Sequence, residues 1–160
     1  ALGLVLSFIN PFAYFTIFGT KINPFAHVIN AITGVLIGLT SSCIVALGIA
    51  SLRFSLSIGT IHAFHGGIAG AVVVGSISYF LRKKYPKYVE FAALLEPIGT
   101  VFLGGTIGHL IAPIGSIFAL ESLIIYWTLF ALSSIPGSLI GFSVLMFLKH
   151  TTKITWEDFF

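Results

Sequence analysis

The sequence predicts an all-α integral membrane bundle of six transmembrane helices, forming a single transmembrane domain over residues 1–160. Three observations carry that reading. Charged residues make up only 8% of the chain, whereas a soluble domain carries about a quarter. The mean hydropathy is +1.07. The few charges fall between or after long apolar runs, and about 20 apolar residues suffice to cross a hydrocarbon core of about 30 Å.

Composition also excludes functions. At 160 residues the chain has room for such helices but not for a separate soluble domain. It contains no GxxxxGK[ST] phosphate loop, so a nucleotide-driven step must come from a partner. Cys43 is the sole cysteine, which excludes an internal disulfide framework and a CxxC metal site. No cofactor is called for. The chain opens at Ala1 inside an apolar stretch without a basic leader, and reads as trimmed or fused, not as a signal peptide.

The apolar runs fall at 1–18, 24–39, 42–56, 66–81, 89–112 and 119–148. In lipid each must be helical, because the backbone has to satisfy its own hydrogen bonds. Asn10-Pro11 breaks the first run, leaving a short helix followed by the aromatic segment Phe12-Ala13-Tyr14-Phe15, a candidate lid. The second and third runs are separated by Leu39-Thr40-Ser41-Ser42, which predicts a tight hairpin there. Pro136 predicts a kink in the last and longest run.

Basic residues orient the bundle. Arg82, Lys83, Lys84 and Lys87 follow the fourth run and Lys149 and Lys153 the sixth, while the other face carries only Lys21 and Arg53. Lys and Arg accumulate on cytoplasmic loops. The expected arrangement is multi-pass in the plasma membrane with both termini cytoplasmic. The pI near 9.2 is therefore a topology signal and implies no nucleic-acid partner.

Small residues recur at four-residue spacing, as in Gly34/Gly38, Ala46/Ala50, Gly66/Gly70, Gly104/Gly108 and Gly137/Gly141. Such ridges let helices approach closely in lipid. Most are expected to pack internally. Ala46 and Ala50 are expected to face outward and dock a partner membrane protein.

Polar residues inside the spans are costly and must be paired or functional. His27 and Asn30 share one face of the second helix, Arg53 ends the third, and Glu96 with Thr100 shares a face of the fifth. The four polar groups His27, Asn30, Arg53 and Glu96 are expected to converge on one cavity at the outer side in the derived topology. Arg53 and Glu96 either form a buried ion pair or hold a ligand, with Arg53 orienting Glu96. The 57–67 connection adds His62, Phe64 and His65. A metal held by His27, His62, His65 and His109 is a rival reading, but the HxxH spacing is not a specific metal pattern.

The run Lys21-Ile22-Asn23-Pro24-Phe25-Ala26-His27-Val28-Ile29-Asn30, continuing to Gly34-Val35-Leu36-Ile37-Gly38, resembles the second-helix signature of the ThiW family. These are substrate-binding S components of energy-coupling-factor (ECF) vitamin transporters. Ser51-Leu52-Arg53, Ala63-Phe64-His65-Gly66 with Gly70-Ala71, and Glu96-Pro97-Ile98-Gly99-Thr100 extend the likeness over about 20–110. It departs from the family at His65, where proline is expected, and at Pro97. The resemblance implies an ECF S-component-like bundle, not an enzyme, that binds a thiazole precursor of thiamine. It further implies a transmembrane coupling subunit and two ATP-binding subunits as partners in the lipid bilayer. A thiazole alcohol needs stacking surfaces, for which Phe15 and Phe64 are candidates, and polar partners, for which His27, Asn30, Arg53, His62, His65, Glu96 and Thr100 are candidates. The rivals are a small intramembrane histidine-based metalloenzyme and a structural subunit of a larger complex.

Overall fold

The computed structural model describes residues 2–10 and 16–152. The candidate lid, Phe15 included, and Lys153 lie outside the described residues. The helices are α1 (Leu2–Ile9), α2 (Pro24–Leu36), α3 (Gly38–Ser55), α4 (His62–Lys84), a composite fifth element ending in α5 (Gly105–Ile111), and α6 (Leu120–Thr152).

Among the described residues four helical elements are long and apolar enough to cross a membrane: Gly38–Ser55, His62–Lys84, Pro86–Ile111 and Leu120–Thr152. The expected six is therefore not reached by these segments. The eight residues of α1 and thirteen of α2 rise about 12 and 20 Å at 1.5 Å per residue, short of a hydrocarbon core of about 30 Å. Asn10-Pro11 stops α1 as expected. At the other end α2 begins only at Pro24, a residue suited to a first turn because it lacks an amide hydrogen.

The hairpin between α2 and α3 differs from the expectation. Its break lies at Ile37-Gly38, before Leu39, and Gly38 takes φ +76°. A side chain resists that left-handed conformation, so glycine ends the helix. Gly38 is thus a stop signal and not half of a packing ridge.

The fifth element is irregular. A 3₁₀ stretch (Pro86–Leu95) leads through Glu96-Pro97 into a π-helical stretch (Ile98–Gly104) and then α5. Pro97 supplies a physical reason, since it has no amide to continue an α-helical ladder. Glycines let this element press on α4: a Cβ at Gly104 would stand 2.8 Å from the Gly66 Cα. By contrast α6 continues through Pro136.

Two cores tie the elements together. Ala31, Val35, Val74, Val89, Ala92, Ala93 and Leu145 are fully buried in one cluster; Val101, Tyr126 and Phe130 form the other. Large apolar side chains such as Ile44 and Phe147 point outward instead, each 66% exposed, as befits a surface in contact with lipid. Most small-residue ridges are internal: Gly34 lies against Val74, Gly66 against Phe130, and Gly141 against Ala31.

Ala46 and Ala50 are a correction. With Ser42 and Arg53 they form the inward face of α3 and are only 4% and 2% exposed. The spacing of 42, 46, 50 and 53 selects one helical stripe, and that stripe is turned into the bundle. They offer no outward surface for a partner.

The ends of the bundle differ in charge. Lys149 Nζ bonds the Lys87 carbonyl and Glu90 Oε1, each at 2.6 Å, so the basic stretches after α4 and in α6 meet at one end. The Arg82 guanidinium joins them on the Val35 carbonyl at the end of α2. Lys21, reaching the Ser57 carbonyl at 2.8 Å, belongs to the connection between α3 and α4 at the opposite end.

A candidate ligand cleft

The innermost polar group is Glu96, whose side chain is fully buried. Four donors surround it. Its Oε1 lies 2.8 Å from His27 Nδ1 and 2.6 Å from Thr100 Oγ1, with Asn30 Nδ2 at 3.4 Å. Its Oε2 accepts from Ser134 Oγ on α6. Asn30 Nδ2 also donates to the Gly67 carbonyl at 2.9 Å, fastening α2 to α4. Thus Glu96 pairs with His27, not with Arg53 as the sequence suggested. The reason is placement: Glu96 lies among α2, α4 and α6, whereas Arg53 lies at the last turn of α3 beside Gly59.

Bonding of His27 Nδ1 to Glu96 fixes the imidazole and leaves Nε2 without a hydrogen-bond partner among the described residues. His27 lines a cleft together with Thr20, Lys21, Asn23, Ala26, Arg53, Thr60, His62, Gly67, Phe130 and Ser133. Its cavity is about 40 Å³, room for a few water molecules by the usual minimum of about 10 to 15 Å³ for one.

The cleft lies at the start of α2, where Asn23 ties the incoming chain to the bundle. Its amide donates to Ser133 Oγ at 2.7 Å and its Nδ2 to Ser7 Oγ at 2.8 Å. The Asn23 side chain makes no capping bond to the first turn of α2. That turn therefore keeps amides without a side-chain acceptor, at the positive end of the helix dipole.

Three buried side-chain atoms have no hydrogen-bond partner among the described residues: Thr20 Oγ1, Asn23 Oδ1 and Arg53 Nε. All three residues line this one cleft. Buried polar atoms are rarely left so, since each unmet bond costs about 1 to 3 kcal/mol and more for a charge.

The predicted residues divide accordingly. His27, Arg53 and His62 line the cleft. Glu96, Asn30 and Thr100 stand behind His27 as its support. His65 Nδ1 donates to the Gly104 carbonyl at 2.7 Å, so its Nε2 accepts from His62 Nδ1 at 3.0 Å when both rings are neutral. His62 then presents Nε2 as an acceptor. His65 also stacks on Phe130, with ring centroids 5.6 Å apart. Phe64 turns to Phe54 on α3, 5.9 Å between centroids, and away from the cleft lining. The sequence reading missed Thr20, Asn23, Phe130 and Ser133. Only Asn23, one residue ahead of Pro24, carried a recognisable signal as a helix-start residue.

The four histidines of the metal reading do not gather. His27 is held by Glu96, His62 and His65 hold one another, and His109 bonds Ser122 and the Ile117 carbonyl. No group of three potential metal ligands occurs among the described residues.

Comparison with known families matches residues 1–151 to ThiW, the thiamine-precursor transporter proteins. The chain belongs to the ThiW family. No curated protein and no solved structure matches it. ThiW membership and the four long apolar helices together describe a multi-pass membrane protein in transport of a thiamine precursor. A transporter family implies uptake in place of catalysis, and a small molecule as the transported substrate.

Proposed function

We propose that the chain is the substrate-binding S component of an ECF-type transporter and that its ligand is a thiazole precursor of thiamine, hydroxyethylthiazole being the simplest. The observation that carries this reading is the set of three unpartnered buried polar atoms around one cleft. A structural subunit without a ligand would fill such a space with side chains. In this proposal the thiazole ring lies against Phe130, and its nitrogen and hydroxyl meet Arg53, Thr20, Asn23 and His27 Nε2. The lining side chains must part to admit it, since the cavity is narrow. Lys21 and Arg53 line the cleft with no carboxylate among its lining residues, which disfavours the cationic thiazolium of intact thiamine. In this proposal a coupling subunit and two ATP-binding subunits complete the transporter, as the family resemblance implies.

Calorimetric titration in detergent with hydroxyethylthiazole and with thiamine tests the ligand. The thiazole is expected to bind more tightly, and His27→Ala to weaken it by about 5- to 150-fold, equivalent to about 1 to 3 kcal/mol. A preference for thiamine overturns the assignment.

The same proposal puts the lysine-rich end, with both termini, in the cytoplasm and the cleft outside. Lys84→Cys is then expected to resist an impermeant thiol reagent in intact cells and to react after permeabilisation, in a Cys43→Ala background. Labelling in intact cells inverts the orientation.

A further inference from the structure

The side chain of Arg53 raises a question that a neutral ligand does not answer. The residue is 5% exposed, and among the described residues it forms no ion pair and its Nε has no hydrogen-bond partner. A buried charge left unpaired is among the costliest arrangements in a protein. The carboxylates among the described residues offer no relief: Glu90 pairs with Lys149 at the other end, Glu121 is exposed in the first turn of α6, and both oxygens of Glu96 are engaged. Around Arg53 the cleft adds Lys21, the Thr20 hydroxyl, and the uncapped first turn of α2 at Ala26 and His27. Each is a positive charge, a donor, or the positive end of a dipole. A guanidinium fork beside helix-start amides suits one class of group, an oxyanion.

We infer that the cleft holds an oxyanion carried by its ligand, so that the preferred thiamine precursor is a thiazole bearing a phosphate monoester or a carboxylate, with Arg53 as its principal partner. This rests on the thiazole reading above and narrows it. Asn23 Oδ1 and His62 Nε2, both acceptors, remain for donors on the ligand or for water.

The test titrates wild type, Arg53→Gln and Arg53→Lys with hydroxyethylthiazole, its phosphate monoester, 4-methylthiazole-5-carboxylate and inorganic phosphate. One of the two anionic thiazoles is expected to bind wild type at least tenfold more tightly than the alcohol, and which one does so identifies the oxyanion. Arg53→Gln should erase that advantage, so that neither anionic thiazole binds it more tightly than the alcohol does. Arg53→Lys should keep part of it, retaining the charge but not the fork. Equal or tighter binding of the alcohol, or an advantage that survives in Arg53→Gln, overturns the inference. If no thiazole binds, the thiazole reading fails by itself. The oxyanion site is then judged by inorganic phosphate, which should raise the melting temperature of wild type and not of Arg53→Gln; no such shift overturns it. Ligand-free Arg53→Gln should melt no lower than wild type, because the substitution removes an unmatched buried charge.

Discussion

Glu96→Leu is expected to cost the bundle about 3 to 5 kcal/mol, the usual penalty for removing one partner of a buried pair. The carboxylate accepts from His27, Thr100, Asn30 and Ser134 on two surrounding elements and on its own. An apolar side chain strands His27 and Ser134 and leaves Asn30 and Thr100 only their carbonyl partners on α4. Glu96→Gln should be milder, because an amide oxygen can face His27 and Thr100 while the Ser134 hydroxyl turns to accept from the new amide. It still removes the charge opposite His27, and with it the force that sets the ring. Ligand affinity should fall by about 5- to 150-fold, or about 1 to 3 kcal/mol, through His27 and not through direct contact. Thermal unfolding in detergent and calorimetry measure the two effects, with Glu121→Gln at the exposed start of α6 as the unaffected control. Wild-type stability in Glu96→Leu would mean that the donors find other partners and that the network is not what holds these helices.

Gly70→Ala is the second large effect. A methyl group there would overlap Glu96 Oε1 and stand 2.5 Å from Thr100 Oγ1, both of which are packed from every side. Overpacking commonly costs about 1 to 3 kcal/mol. Here the displaced atom is the one that holds His27, so ligand affinity should drop at least tenfold as well. Gly48→Ala is the matched comparison, since a Cβ at that helical position meets nothing within 4 Å. It should be neutral or gain up to about 1 kcal/mol from helix propensity, the bilayer setting aside. Equal melting temperatures for the two variants would show that α4 and the fifth element can separate slightly without loss.

Some of this was legible in the residues. Hydropathy and charge distribution give an all-helical membrane chain, and the intramembrane polar residues His27, Asn30, Glu96 and Thr100 do form one network. What periodicity does not carry is where a helix ends within an apolar run. The second run reads as 24–39, yet α2 stops at Leu36 because Gly38 turns the chain, and this leaves α2 short of a full span. Nor does spacing say which way a stripe faces: Ala46 and Ala50 share their stripe with Arg53, and a charged residue at the end of a membrane stripe already argued for the interior. The partner of Glu96 depended on rotation about α2 and α3, which no local pattern encodes. Phe130 and Ser133 come from mid-α6, where an unbroken apolar helix gives no hint of the face that meets the cleft.

The lower half of α2 has a consequence for the membrane's insulation. Between the cleft and the lysine-rich end stands a plug of Ala31, Val35, Val74, Val89, Ala92, Ala93 and Leu145, with no exposed surface at any of them. Such packing leaves no file of waters along which a proton could hop or an ion slip. The cleft is a blind vestibule, so a cell can hold many copies of this protein without short-circuiting the gradient it lives on. The same seal denies the cargo a way straight through. In the proposed reading, cargo held at Arg53 gets inside only when the scaffold itself shifts, and passage is metered by that motion and not by a concentration difference across an open path.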